Sequence, residues 1–339
     1  ELVEHLTEVA EIADELGQTW THLALNPWDA PDDIPWMPKS RYGVMRRYLG
    51  TRGRDAHWMM KATCTVQANY DYTDEADALR KLAVASRLSP VVTALFAASP
   101  VRQGSVRGAS ERMRIWENVD PDRCGTPAAY LTPGAGFADV VEWCLDVPMI
   151  FVVRDGRYVD VSGRPFRDLL ERRIDGLEPT LGDWELHLSA LFPDVRLKRY
   201  IEVRTADAGL PDHLLALPAL WKGIFYDADA LVAAESLALE LGVAGLRNAE
   251  RSAVEAGLEG RYGALTMREA AGALIDLSRR GLEAQATENG HESEAGYLDI
   301  LRAPGGEVRS PSDAFRALWE ACEGDRATII EAFRLGLPR

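Results

Sequence analysis

The chain has 339 residues, 47% of them hydrophobic, enough for one large domain or two ordinary ones around a sizeable core. A formal net charge of −15 and a pI of about 4.9 argue against nucleic-acid binding, which runs on basic patches, and against an anionic membrane surface. No apolar run reaches the roughly 18–20 residues that a membrane-spanning helix requires. The four cysteines (Cys64, Cys124, Cys144 and Cys322) lack CxxC spacing and suit a reducing compartment, so a cytoplasmic location is expected. No signal or transit peptide is visible, and a start at Glu1 rather than Met leads us to expect further sequence upstream.

In chain order, Glu1 to Gly17 carries apolar residues at helical spacing (Leu2, Leu6, Val9, Ile12, Leu16) with Gly17 as the stop. Trp20 to Leu25 reads as a short strand, Asn26 to Ser40 as a loop, and Arg41 to Leu49 as a helix. Thr63 to Tyr72 alternates. Thr63, Thr65, Gln67, Asn69 and Asp71 share a face that is either solvated or lines a polar cup, and Cys64, Val66, Ala68, Tyr70 and Tyr72 share the other. Thr73 is the expected N-cap of a helix running to Ser89, before Pro90. Phe151 to Val161 reads as a hairpin with Asp155-Gly156 at its turn. Pro165 to Arg173 and Leu181 to Phe192 read as helices.

Arg196 to Arg204 then reads as two cations leading into one strand, with Tyr200, Glu202 and Arg204 on the same face. Lys198 shares that face, as does Arg196 if the strand begins that early. A carboxylate beside a guanidinium on a sheet face is costly to bury without a purpose. A site holding a metal ion and a polyphosphate together needs such a pair; a cross-strand ion pair is the plainer alternative. Beyond Pro211 nearly everything reads as helix: Leu214 to Leu241, Asn248 to Ala256, Met267 to Gln285, Ser312 to Cys322 and Ala327 to Leu335, with a polar loop over Thr287 to Ala295. Strands before about residue 205 and helices after it predict an α+β fold with an antiparallel sheet. The histidines show no metal spacing, and Trp184 and His187 read as packing residues.

Five stretches together resemble the plant-type glutamate–cysteine ligases. They are Met37-Pro38-Lys39-Ser40-Arg41-Tyr42-Gly43-Val44-Met45-Arg46, Thr63-Cys64-Thr65-Val66-Gln67-Ala68-Asn69, Thr93 to Pro100, Leu145-Asp146-Val147-Pro148-Met149, and Phe192-Pro193-Asp194-Val195-Arg196-Leu197-Lys198-Arg199-Tyr200. They occur in the family's order, across about residues 1–285. The resemblance implies a glutamine-synthetase-like cup of antiparallel sheet backed by helices. The expected organisation is a single ligase domain over 1–339, with a sheet-containing half to about 210 and a helical half from about 211. It also implies ATP-dependent joining of the γ-carboxyl of L-glutamate to the amine of L-cysteine through a γ-glutamyl phosphate. The product is γ-glutamylcysteine, for glutathione; ergothioneine synthesis, another amine acceptor and a non-catalytic remnant are the alternatives. A monomer or homodimer is expected.

The site residues follow from that resemblance. Glu202 is expected to ligate Mg²⁺, with Gln67 beside it, because Mg²⁺ takes hard oxygen ligands. Arg204 is expected to contact phosphate in a fork geometry, with Lys198 assisting ATP binding. Arg41, in the MPKxRY motif, and Arg112, four residues before Trp116, are expected on substrate carboxylates, with Arg114 as the alternative to Arg112. Gln67 and Asn69 are expected to bind substrate through their amides. The family's glutamate-rich strand and GGQxE-type segment do not occur here, so this stretch of chain alone is expected to be inactive or very weak.

Overall fold

The computed structural model describes residues 2–335, without the side chains of Val243 and Ala244. Glu1 of the expected first helix and residues 336–339 of the expected domain lie outside the described residues. Helix Leu2–Glu15 ends before Gly17, whose φ of 64° suits only glycine well. Helix Ser40–Arg52 forms over the MPKxRY motif. The predicted hairpin pairs Phe151–Arg154 with Arg157–Asp160. Its turn residues Asp155 and Gly156 have φ of 48° and 72°, as a type I′ turn demands.

Helices and short, mostly antiparallel strands make an α+β structure. Among the described residues the largest sheet has three strands, Ala68–Tyr70, Ile201–Val203 and Val195–Leu197, with Ile201–Val203 in the middle. Its rows follow the period-two pattern. Ala68, Val203 and Val195 form one apolar row, and Tyr70, Ile201 and Leu197 another. These rows face the main core, against the long helix Glu75–Leu95. Between them, Asn69, Glu202 and Arg196 form a polar row on the opposite face.

Five expectations need correction. Arg196 to Arg204 is not one strand but a hairpin of Val195–Leu197 with Ile201–Val203, closed where the Lys198 N–H donates to the Tyr200 carbonyl at 2.8 Å. Pairing Val195 with Val203 and Leu197 with Ile201 sets the two apolar pairs side by side on the core face. The Thr63 strand is paired as a ladder only over Ala68–Tyr70. Thr65 bridges Asp207 while Ala68 opposes Val203, so the partner segment carries an extra residue, as in a bulge. Trp20 to Leu25 makes only isolated bridges, Thr21 with Arg334 and Leu25 with Thr63.

The fourth correction is the helix expected to end at Ser89. It is capped by Asp74, which accepts from the Asp77 N–H, and it runs through Pro90 to Leu95. An interior proline costs roughly 3 kcal/mol. Every residue from Val84 to Leu95 is buried, however, and each large apolar side chain there returns about 1.5–3 kcal/mol. Burial therefore overrides the local signal. Further on, the expected Leu214 to Leu241 helix is split into Pro211–Phe225 and Ala228–Leu239, with Asp227 capping the second.

The main core cluster takes residues from both sides of residue 210, from Tyr70 through Trp221 to Val308. Within it, helices Pro211–Phe225 and Met267–Asn289 touch backbone to backbone. A Cβ on Gly223 would sit 2.2 Å from the Ser278 carbonyl oxygen, and one on Gly281 would sit 2.0 Å from the Gly223 carbonyl oxygen. Gly223→Ala must therefore push the helices apart, and a loss of about 2 kcal/mol in urea-measured stability is expected. Gly296→Ala, where the added methyl meets open space, should change stability by less than about 0.5 kcal/mol.

Candidate active site

The polar face of the three-stranded sheet is built around one carboxylate. Glu202 is only 5% exposed. Arg196 Nη2 donates to both of its oxygens, at 2.8 and 3.0 Å. Lys198 Nζ lies 3.4 Å from Oε2, and Arg204 Nη1 donates to Oε1. Arg204 Nη1 also donates to Gln67 Oε1 at 3.2 Å. Burial pushes the Glu202 carboxyl up, but Arg196 and Arg204 outweigh it and hold the group below the usual carboxylate range. Burial and the charge of Arg196 lower the Arg204 guanidinium, against the pull of Glu202.

One carboxylate under three cations leaves the face locally positive, which suits a polyphosphate. It does not suit the expected metal role. Both Glu202 oxygens and the Gln67 oxygen already accept from cations, and among the described residues no group of three His, Cys, Asp or Glu side chains converges to hold a metal ion. These residues alone therefore do not fit Mg²⁺, which needs several free hard oxygens. The ion-pair reading describes Glu202 as it stands.

The remaining predicted residues are dispersed. Gln67 and Asn69 are exposed, with Asn69 directly opposite Glu202 in the ladder. Arg41, in the first turn of Ser40–Arg52, is exposed. Its guanidinium lies 5.3 Å from the centre of the Tyr42 ring, and it makes no ion pair among the described residues. That leaves its donors open to a carboxylate from solution, but the structure does not join Arg41 to the Glu202 cluster. His187 is buried packing, as read from sequence. It stacks on Phe166 and bonds the Cys144 carbonyl at 2.7 Å, with burial lowering its pKa to about 4.

Arg112, expected on a substrate carboxylate, is 3% exposed and matched by a protein acid. Its Nη1 donates to the Thr205 carbonyl at 3.2 Å and to Asp207 Oδ1 at 3.3 Å, and its Nη2 to the Arg204 carbonyl at 2.9 Å. Asp207, itself 2% exposed, also accepts from the Ala98 N–H, the Ser99 hydroxyl and the Ser110 hydroxyl, at 2.7–2.9 Å. Arg112 thus pins the backbone of Arg204 from behind the polar face. The alternative, Arg114, pairs with Glu111 at 2.7 Å.

A cavity of about 530 Å³ adjoins this network. Its walls include Trp116, Thr126, Asp194, Thr205, Arg247 and Glu250. Burial pushes the Asp194 carboxyl up to about 6, against a 3.4 Å bond from the Thr126 hydroxyl and the charges of Arg204 and Arg112. Burial, with Asp194 and Glu117 nearby, pushes Glu250 up to about 8. Sequence reasoning missed both acids. Asp194 did carry a signal, an acid wedged between Pro193 and the apolar start of a strand.

A family model described as glutamate-cysteine ligase family 2 (GCS2) matches residues 1–331. The chain belongs to this family. Among its relatives, the chloroplastic glutamate–cysteine ligases of Brassica juncea and Arabidopsis thaliana are each 38% identical, over 305 and 308 residues, covering 89% of this chain and 58% of each relative. The chloroplastic glutamate–cysteine ligase B of Oryza sativa subsp. japonica is 36% identical over 324 residues, covering 94% of this chain and 64% of its own length. The chain thus spans about 58–64% of the length of these relatives. The names of the relatives also correct the expected cytoplasmic location, since these family members are chloroplastic enzymes.

Two stability predictions follow for this member of the ligase family. Asp207→Asn strands the buried Arg112 charge and should cost about 3–5 kcal/mol in urea unfolding. Asp160→Asn, at the exposed pair with Arg47, should cost less than about 1 kcal/mol. The second concerns pH. Glu250 holds its proton more tightly folded than unfolded, so stability falls as pH rises from the unfolded value near 4.5 through about 8. Glu250→Gln should therefore unfold at a higher temperature than the parent at pH 8, and at nearly the same temperature at pH 5.

Proposed function

We propose that this chain carries the phosphate-facing part of an ATP-dependent glutamate–cysteine ligase, making γ-glutamylcysteine for glutathione. The observation that carries the reading is the buried Glu202 beneath Arg196, Lys198 and Arg204, in a chain of the glutamate–cysteine ligase family. In this proposal the three-stranded sheet forms part of a glutamine-synthetase-like cup.

The chemistry explains why such a face is needed. A carboxylate does not acylate an amine near neutral pH, because it has no leaving group. One oxygen of the glutamate γ-carboxylate attacks the γ-phosphorus of ATP, the bond to the β–γ bridging oxygen breaks, and ADP leaves. The cysteine amine then attacks the acyl carbon, inorganic phosphate leaves with its electron pair, and the nitrogen gives up a proton. Phosphoryl transfer depends on positioning and charge neutralisation more than on covalent help. Arg204, Arg196 and Lys198 provide that charge, and Glu202 holds their head groups in place before the nucleotide arrives. Arg41 offers a free fork to a substrate carboxylate, and the Gln67 and Asn69 amides line the rim. Mg²⁺ enters as the ion accompanying ATP, with no residue of this chain assigned to it.

The test is ADP release by the protein translated from its whole reading frame, with Mg-ATP and L-glutamate, before and after adding L-cysteine. Cysteine-dependent release is expected. Arg204→Lys keeps the charge but loses the fork, and should lower that rate by about 10- to 100-fold. Arg41→Lys should act mainly on the KM for glutamate. Release that ignores cysteine, or silence with every amine tried, would overturn the reading.

A further inference from the structure

Away from the sheet face, a cavity of about 310 Å³ opens between the long helix Glu75–Leu95, the segment 129–135 and helix Ala228–Leu239. Its walls are mainly apolar, including Leu79, Ala83, Val84 and Leu239. Its charged groups are Arg80, Arg87 and Glu235. Arg80 donates to Glu235 Oε2 through Nε at 3.1 Å and Nη2 at 2.8 Å, so these two charges cancel.

Arg87 is different. It is 9% exposed and makes no ion pair with any described carboxylate. Its guanidinium donates only to two backbone carbonyls, Leu241 at 3.2 Å through Nη1 and Leu131 at 3.3 Å through Nη2. The rest of its donor fork has no protein partner among the described residues. A buried cation answered only by two long neutral bonds is costly, and buried charges are normally paired. By contrast Arg112, deeper still, has Asp207, and Arg123, fully buried, has Asp120 at 2.7 Å. The unanswered charge lines a cavity, where a ligand can answer it.

We propose that this cavity binds a small organic monocarboxylate, its carboxylate on the Arg87 fork and its short apolar body against Leu79, Ala83, Val84 and Leu239. The fork geometry selects a planar two-oxygen anion, and the apolar walls favour a hydrocarbon body over a fully hydrated inorganic ion. Glu235 discourages a second negative charge at the rim once the Arg80 fork is occupied, which disfavours di- and trianions. The proposal does not depend on the ligase reading.

The experiment is calorimetric titration of the protein translated from its whole reading frame with sodium butyrate in a buffer free of other carboxylates, with n-butanol and inorganic phosphate as comparison probes. Saturable one-site binding of butyrate, tighter than that of either comparison probe, is expected. Arg87→Gln removes the charge and fork, and should weaken butyrate by at least about 10-fold. Ala83→Phe fills the cavity while leaving Arg87 in place, and should do the same. That second variant decides the matter if Arg87→Gln does not fold. Arg204→Lys, on the sheet face, should bind butyrate like the parent. Undetectable butyrate binding to the parent, or unchanged binding in Ala83→Phe, would overturn the site. Tighter binding of phosphate than of butyrate would overturn the ligand class.

Discussion

The Asp207 carboxylate is the constraint on which the polar face depends. It is buried, and it accepts from the Ala98 amide and the Ser99 hydroxyl just past the long helix, from Ser110 at the cap of the Glu111–Trp116 helix, and from Arg112. Arg112 passes the constraint forward, since its remaining donors hold the Arg204 and Thr205 carbonyls where the chain leaves the sheet. Burial pushes the Asp207 carboxyl up, and only the surrounding donors make an ionised acid tolerable there. A buried ion pair is weak evidence for stability, but it is good evidence for position. Two charged groups that cannot rearrange without stranding one another fix the backbone that carries Arg204.

That fixation matters because the face it supports is under internal tension. Arg196, Lys198 and Arg204 converge on a single carboxylate, and Arg196 lowers the charge affinity of Arg204. Without Glu202 the cations would spread into solvent. Without the apolar rows behind, of Val195, Val203, Ile201 and Leu197, the two strands carrying them would not stay paired. The site is preorganised from beneath by packing and from within by one acid. Preorganisation of this kind is what lets fixed charges act on a reacting phosphate without first rearranging.

Much of this was readable from residue types and spacing, and the failures have physical causes. Alternation placed Tyr70, Ile201 and Val203 inward and Gln67, Asn69 and Glu202 outward, because a strand can bury only one parity. Asp155-Gly156 announced its turn, since few residues accept positive φ twice running. The reversal at Lys198 to Tyr200 was hidden because that run has no glycine, asparagine or proline to mark a turn; pairing across the hairpin imposes it. Pro90 signalled a helix end that buried packing overrode. The partner of Arg112 lies 95 residues away in sequence, so no local pattern distinguishes a substrate arginine from one held by Asp207. The raised acids Asp194 and Glu250 were invisible for a related reason, since burial, which shifts them, is a property of the folded chain.

The last feature to reconcile is charge. A chain of net −15 should repel ATP and glutamate, the two anions of the proposed reaction. Yet at physiological salt the field of an exposed charge fades over about 8 Å, so the sum over the whole chain counts for less than the groups lining one face. On the sheet face those groups are Arg196, Lys198 and Arg204 against Glu202, and two of the cations are largely desolvated, with side chains 13% and 11% exposed. Low-dielectric walls strengthen such a local field instead of screening it. For the proposed reaction the acidic remainder then serves a different end, since it disfavours anions elsewhere and leaves the cation-lined face as the place where a polyphosphate would meet the least repulsion.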